Sequence, residues 1–424
     1  MRDGEEVHSV DLTDRDLYRD GFPHELFTDL RGRSAVLRHA PAVTRRGAVP
    51  IGFWVVLRHA EVQRVARDTD TFSASDGPSI VATAELRGHT LTHSDGPDHL
   101  RLRRLISAGF TPRMIGRLED QIRVRTDQIL DDIAAAGECD FVRDVAYLLP
   151  MQLIGDIIGI PEADRPWVFA QTDAILRRAA DAAVGASDAE RQLFAYAQQL
   201  SEDKRRQPAD DVWSLLAAMG VDQGDGAPLL SGLELDYFFT ILSIAGSETT
   251  RNAISHGLLA LLDHPDQLTM LRVASLGGDI HLLDTATEEA IRWASPVTCF
   301  TRTATRDVEL GDAMIRAGDR VTTWYPSANR DERAFDDPFR FDLTRSPNPH
   351  VSFGGGGAHF CLGAQLARRE VRVMFEQLMT RFDTIELTGP ITYAVNGLAT
   401  AIAVSVEHAP VRLVTRSPSR TTAA

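Results

Sequence analysis

His350–Glu370 reads HVSFGGGGAHFCLGAQLARRE, and the rest of the chain is best understood outward from it. Four consecutive glycines invite a phosphate loop, yet no Gly-Lys-Ser/Thr follows. Neither the 354/356 nor the 355/357 glycine pair has the third glycine of a dinucleotide fingerprint. Directly after Cys361 comes a good helix former, LGAQLARREVRVMF, so the cysteine stands at a helix N-terminus. Unpaired backbone N–H groups and the helix dipole there favour the thiolate and lower the thiol pKa. Gly363 removes a side chain two residues on, as if something large and flat lies against the backbone. A thiolate on a glycine-rich loop suits axial ligation of a haem iron. Taken alone, a buried inert cysteine beside a flexible loop accounts for the same residues.

The composition sets the frame for that choice. The 424 residues are 43% hydrophobic and 25% charged, ordinary globular values that exclude a disordered or fibrous chain. A formal net charge of −15 argues against a nucleic-acid binder. Cys139, Cys299 and Cys361 lie too far apart for a zinc cluster and are too few for a disulfide framework, which suits a reducing cytoplasm. The charged N-terminus lacks a signal peptide's apolar stretch, and no 18-residue apolar run exists to span a membrane. The length allows two or three domains, but no repeat or linker divides the chain. Phe53–Leu57 reads as a strand with a helix following from Ala60, and residues 73–92 read as a long irregular loop. Helical periodicity runs from Asp98 to about residue 285. Short strands at Val308–Leu310, Met314–Ile315 and Arg320–Trp324 precede a Gly/Pro/Asn/Asp-rich loop from Ser327 to Gly357. A helix near Leu362–Arg381 and a strand pair near Ile391–Val406 follow. One mainly α domain with a minor β part, residues 1–414, is predicted, with 415–424 as a disordered tail.

Ser231-Gly-Leu-Glu234 has the form of a capping box opening a helix to about Leu262, roughly 45 Å long. Midway the apolar pattern gives way to Ala245-Gly246-Ser247-Glu248-Thr249-Thr250. Gly246 costs about 1 kcal/mol inside a helix, which suggests close approach of a ligand. Thr249 can bond back to the Ala245 carbonyl. An acid beside a hydroxyl can relay protons to bound dioxygen. A solvated glutamate beside ordinary helix threonines fits the pattern too.

Together the two segments resemble the haem-binding loop and oxygen-activation helix of the cytochrome P-450 family, and the resemblance extends along essentially the whole chain. It implies that fold, with haem b between the central helix and the cysteine loop. Cys361 is then the proximal thiolate ligand and Phe353 its aromatic shield, though Phe353 stands eight residues before the cysteine where the family has seven. Ala245, Gly246, Glu248 and Thr249 match the oxygen-activating motif. His359 matches a haem propionate contact, and His99, Arg103 and Arg302 join it. His99 and Arg103, four apart, would face one side of a helix. Glu289 and Arg292 match the E-x-x-R pair, a common surface spacing when taken alone, with Arg340 as the implied third member.

The family's substrate regions map onto Ser73–Thr90, Leu242–Thr249, Val297–Phe300 and Asn396–Thr400, so Val297, Thr298, Cys299 and Leu398 are pocket candidates. Cys299 is equally readable as a packed core thiol. The resemblance implies a monooxygenase that uses O2 to hydroxylate a hydrophobic small molecule, with motif wording nearest the branch that oxidises sterol side chains and branched lipids. Secondary-metabolite tailoring, including radical coupling, is the rival, and a non-catalytic haem carrier or sensor the third possibility. Electrons are expected from a ferredoxin with a separate NAD(P)H-dependent reductase, since 424 residues leave no room for a fused flavin domain. Arg101, Arg104, Arg113, Arg368, Arg369 and Arg372 would offer it a basic patch.

Overall fold

The computed structural model describes residues 10–44, 47–49, 51–107, 112–180, 187–220, 229–396 and 403–416. Its axis is the helix Gly232–Asp263, 32 residues and so about 48 Å long. The capping box forms as its spacing predicts. Glu234 N donates to Ser231 Oγ (3.2 Å), and Ser231 N donates to Glu234 Oε2 (2.7 Å). Helices Leu148–Ile158, Asp188–Arg206, Ile280–Ala294 and Ala364–Arg381 pack around this central helix. Ile154, Phe239, Ile254, Leu258, Met374 and Leu378 from these elements share one continuous core.

The β part lies to one side. A five-stranded sheet runs in the order Val36–His39, Phe53–Val56, Arg320–Trp324, Cys299–Ala304, Phe72–Ser73. The Phe53–Val56 and Arg320–Trp324 strands are parallel, with Arg320 opposite Phe53, and the other pairs are antiparallel. Hairpin strands Val308–Leu310 and Ala313–Ile315 follow the sequence reading. The strand Pro410–Thr415 sits in a sheet with Phe382–Leu387 and Glu138–Asp140, and the expected tail falls almost wholly outside the described residues.

The strand Cys299–Ala304 corrects two pocket candidates. Cys299 pairs with Trp324 and packs with Leu12, Tyr18 and Phe27. Thr298 is buried, its hydroxyl accepting from Val404 N (3.3 Å). Both lie inside the protein core, away from the cavity wall. Leu398 lies outside the described residues.

The loop at 73–92 is built, with two short 3-10 turns at Ala84–Leu86 and Leu91–His93. The Arg320 guanidinium donates to the carbonyls of Gly77 and Ile80 (3.1 Å each) and of Ser79. At the loop's start, Asp95 accepts from Ser73 Oγ (2.6 Å), Ala74 N (2.9 Å) and Ser75 Oγ (2.9 Å). One half-buried carboxylate and one buried guanidinium thus hold a segment that sequence alone left shapeless.

Candidate active site

The four glycines of the cysteine loop all take positive φ, between 73° and 102°. Side chains rarely tolerate that region, so the run is a conformational requirement. At Gly357 space is short too, because a Cβ would come within 2.5 Å of the Ala66 carbonyl. The loop therefore lies flat on the helix His59–Arg67 and turns back. Cys361 N donates to Phe353 O (3.0 Å), which absorbs the extra glycine between them. Arg368 covers the Phe353 ring, its guanidinium carbon 4.5 Å from the centroid.

Cys361 and Phe353 face a cavity with about 290 Å³ open to the centres of water molecules. The opposite wall is the central helix at Ala245, Gly246, Thr249, Thr250 and Ala253. A side chain at Gly363 would meet no atom within 4 Å, so the space there belongs to the cavity. At Gly246 the tight neighbour is Ile154, whose Cδ1 lies 2.3 Å from where a Cβ would stand. Close approach at this glycine is therefore between helices, while its backbone also borders the cavity. Thr249 Oγ1 donates to Ala245 O (2.8 Å), the predicted back-bond. Glu248 stands behind this wall. Its Oε1 accepts from Ser405 Oγ (3.2 Å) and from Arg251 (3.3 Å), and Ser405 Oγ accepts from Asn252 (3.0 Å).

Two arginines and two histidines gather at one end of the cavity. His99, Arg103, Arg302 and His359 all line it. The His99 and His359 rings lie 4.1 Å apart, His359 Nε2 donates to Asp95 Oδ1 (3.1 Å), and Arg103 donates to Phe360 O (2.8 Å). Burial, helped by the positive charges of His359 and Arg103, pulls the His99 pKa down to about 4. Burial likewise lowers that of Arg302. His99 Nε2 is buried with no hydrogen-bond partner. A buried ring nitrogen without a partner, able to donate in one tautomer, beside two guanidinium groups suits anions, and the two propionates of a haem would supply them. With the thiol opposite and open space over Gly363, the residues present fit that group.

Enclosure within the cavity pushes the Cys361 thiol up, though its surface is open to that cavity, while a hydrogen bond from the Gly363 N–H and the charges of Arg103 and Arg368 pull it down. The predicted helix-start effect is thus present but outweighed until a metal takes the sulfur.

The E-x-x-R pair is no surface pair. Glu289 and Arg292 are wholly buried, joined at 2.7 Å on both nitrogens. Arg292 also donates to the carbonyls of Asn329 (2.8 Å) and Pro338 (2.9 Å). The third member is Arg345, 3.2 Å from Glu289 Oε2. Arg340 is exposed and offers only its carbonyl, at 3.4 Å. The arginine patch is corrected as well. Arg101 pairs with Glu234, Arg368 with Glu288, Arg369 and Arg372 with Glu119, and Arg372 also with Asp284. Arg104 is exposed, and the Arg113 side chain lies outside the described residues.

Sequence reasoning missed Asp95, Arg345 and Ser405. Asp95 looks like a helix-start residue, and nothing local names a partner 264 positions away.

The family model for cytochrome P-450 matches residues 173–393, spanning both the central helix and the cysteine loop. Cytochrome P-450 126 of Mycobacterium tuberculosis is 44% identical over 91% of this chain and 93% of its own length. A steroid C26-monooxygenase of Rhodococcus jostii is 37% identical, covering 89% and 80%. The structure of Mycobacterium marinum cytochrome P-450 CYP268A2 in complex with pseudoionone superposes with a TM-score of 0.83 at 36% identity, covering 97% and 99%. With the cysteine loop and the central helix facing each other across one cavity, and with these relatives matched over most of their length, the chain belongs to the cytochrome P-450 family of haem monooxygenases.

Proposed function

We propose that this chain hydroxylates a C–H bond of a hydrophobic small molecule, a sterol or a branched lipid. The observation that carries this reading is the cavity, where Cys361 faces Thr249 and the remaining wall is largely apolar, with Leu91, Ile241, Leu242, Val297 and Phe300. The names of similar proteins support the substrate class. They include the steroid C26-monooxygenase above and a methyl-branched lipid omega-hydroxylase of Mycobacterium bovis, 40% identical over 85% of each chain.

Haem held there supplies dioxygen binding and reductive activation. In this reading Cys361 ligates the iron through its thiolate. Arg103, Arg302, His99 and His359 hold the propionates, and Phe353 shields the sulfur. Thr249 offers a hydroxyl at the oxygen site. Glu248 is the acid that would supply protons, held behind the helix wall by Arg251 and Ser405. The apolar wall excludes water from the reacting C–H bond. Ferredoxin with a separate reductase is the proposed electron source, docking against a field of mixed sign because most of the nearby arginines are paired. Three free thiols support a cytoplasmic setting.

The test is a spin-state titration of the holoenzyme with cholesterol, a methyl-branched fatty acid and pseudoionone, followed by product mass. A shifted Soret band and a product heavier by one oxygen are expected. Dimerised or dehydrated products would move the assignment to coupling chemistry, and no electron consumption with any of the three would sink it.

A further inference from the structure

A second, smaller void lies beside the active-site cavity, between the end of the 73–92 loop, the helix Gly96–Ser107 and the first turns of the central helix. Leu102, Ile106, Leu230 and Phe238 form much of its wall, and about 20 Å³ of it is open to the centres of water molecules. Three side chains, Leu91, Phe238 and Ile241, line both spaces and form the partition between them. On the outer side stands Glu234, paired with Arg101, which also donates to the Leu229 carbonyl (2.9 Å). Leucines adjoin that pair in the sequence and face solvent: Leu100 is 57% exposed, Leu229 56% and Leu233 42%.

Each feature is unfavourable by itself. A void deprives the atoms around it of packing partners. Leucines clustered at the surface leave apolar area in water. In order, though, mouth, void and partition lead from solvent to the cavity that Cys361 lines, with apolar surface at every stage. The partition consists of side chains, with Phe238 and Ile241 three apart on one helix face, so changes of rotamer open it and no element unfolds. The outer pair is weak, because Arg101 is 42% exposed and Glu234 keeps the Ser231 N–H when the arginine leaves.

We propose that this is an entry and exit route for apolar substrates, with Phe238 as inner gate, the void as its narrow stage and the Arg101–Glu234 pair as outer latch. This rests on the reading of the cavity as the substrate site. A space so narrow passes a flexible chain segment by segment and holds back a rigid fused ring, so of the two substrate classes it serves the branched lipid.

The test is stopped-flow absorbance of the ferric holoenzyme with two probes: a methyl-branched fatty acid, followed by its spin shift, and dodecylimidazole, a chain that ends in a ligand for the iron. Ile106→Phe and Leu230→Phe, which fill the void, should slow association and dissociation of both probes about tenfold and keep Kd within about twofold, since a narrowed passage raises one barrier met from both sides. Arg101→Ala should speed both rates about threefold, again at constant Kd. Imidazole alone, without a chain, should bind at the wild-type rate. A melting temperature of Ile106→Phe at or above that of the wild type shows an intact fold with its void filled. Wild-type association rates in both phenylalanine variants overturn the proposal, and so does a changed Kd at an unchanged association rate, which would make the void part of the bound site. Where the fatty acid gives no spin shift, the substrate class falls, and the dodecylimidazole rates decide the passage by themselves.

Discussion

Cys361 sits under opposing influences: enclosure inside the cavity it lines favours the thiol, while the Gly363 N–H and two guanidinium groups favour the thiolate. A metal ion settles such a contest outright, because coordination deprotonates the sulfur. The expected result is a strongly red-shifted Soret band in the reduced, carbon-monoxide-bound wild type that is lost in Cys361→Ser. An ordinary Soret position in both proteins would remove the thiolate assignment and the oxygenase chemistry with it. This residue was legible in the sequence because everything that marks it is local: the glycines before it, the helix after it, Gly363 two positions on. Glu370, nine positions on in the helix Ala364–Arg381, was not legible: it is buried, with no hydrogen-bond partner for its Oε2 among the described residues, and a helix period gives a charged residue no such label.

At the scale of elements, the helix Ile280–Ala294 fastens the long loop that carries the cysteine. Arg292 holds the carbonyls of Asn329 and Pro338, and Glu289 receives Asp342 N (3.0 Å), Asn348 (3.1 Å) and Arg345. A pair with both members fully buried behaves unlike the exposed i, i+3 pair its spacing suggests. Glu289→Ala leaves two guanidinium groups without a counter-charge and should cost about 3–5 kcal/mol. Arg340→Ala should stay within about 0.5 kcal/mol, being an exposed side chain. Urea midpoints of the holoenzyme distinguish the two, and equal losses would mean that Arg340 braces the loop after all. The helix itself was readable from periodicity, and so was the capped central helix. The strand Cys299–Ala304 was not. Its alternation is broken by Thr301 and Thr303, and only its neighbour Arg320–Trp324 in the folded sheet shows that Cys299 turns to the core.

Across the whole molecule, a helical body and a lateral sheet close on one cavity, and charged groups buried at the seams tie the parts together. His93 lies in the loop beside the sheet, bonded through its ring to Thr83 (2.7 Å) and Thr90 (2.8 Å). His256 lies on the central helix, 3.1 Å from the Val404 carbonyl of a β-hairpin. Burial takes the pKa of each from 6.5 down to about 4. Glu288 joins the cysteine loop to its helix through His350 and Arg368, whose hydrogen bonds and charges outweigh burial and bring its pKa to about 2. All three folded-state values lie below the unfolded ones, so the unfolded chain binds more protons and stability rises with pH. The histidine contribution is complete above pH 6.5 and is lost as the pH falls from 6.5 to about 4. Loss from Glu288 follows, from 4.5 to about 2. Each histidine contributes on the order of 3 kcal/mol over its window at most. The urea midpoint should therefore begin to drop below pH 6.5, well before carboxylates titrate, and His93→Gln combined with His256→Gln should make that upper part shallower, the other buried histidines such as His99 keeping the rest, while leaving the drop below pH 4.5. A wild-type midpoint that stays level between pH 6.5 and 5 would show that none of the buried histidines, His93 and His256 included, is kept neutral by the fold, and that the seams between sheet and helices open more readily to water than their burial implies.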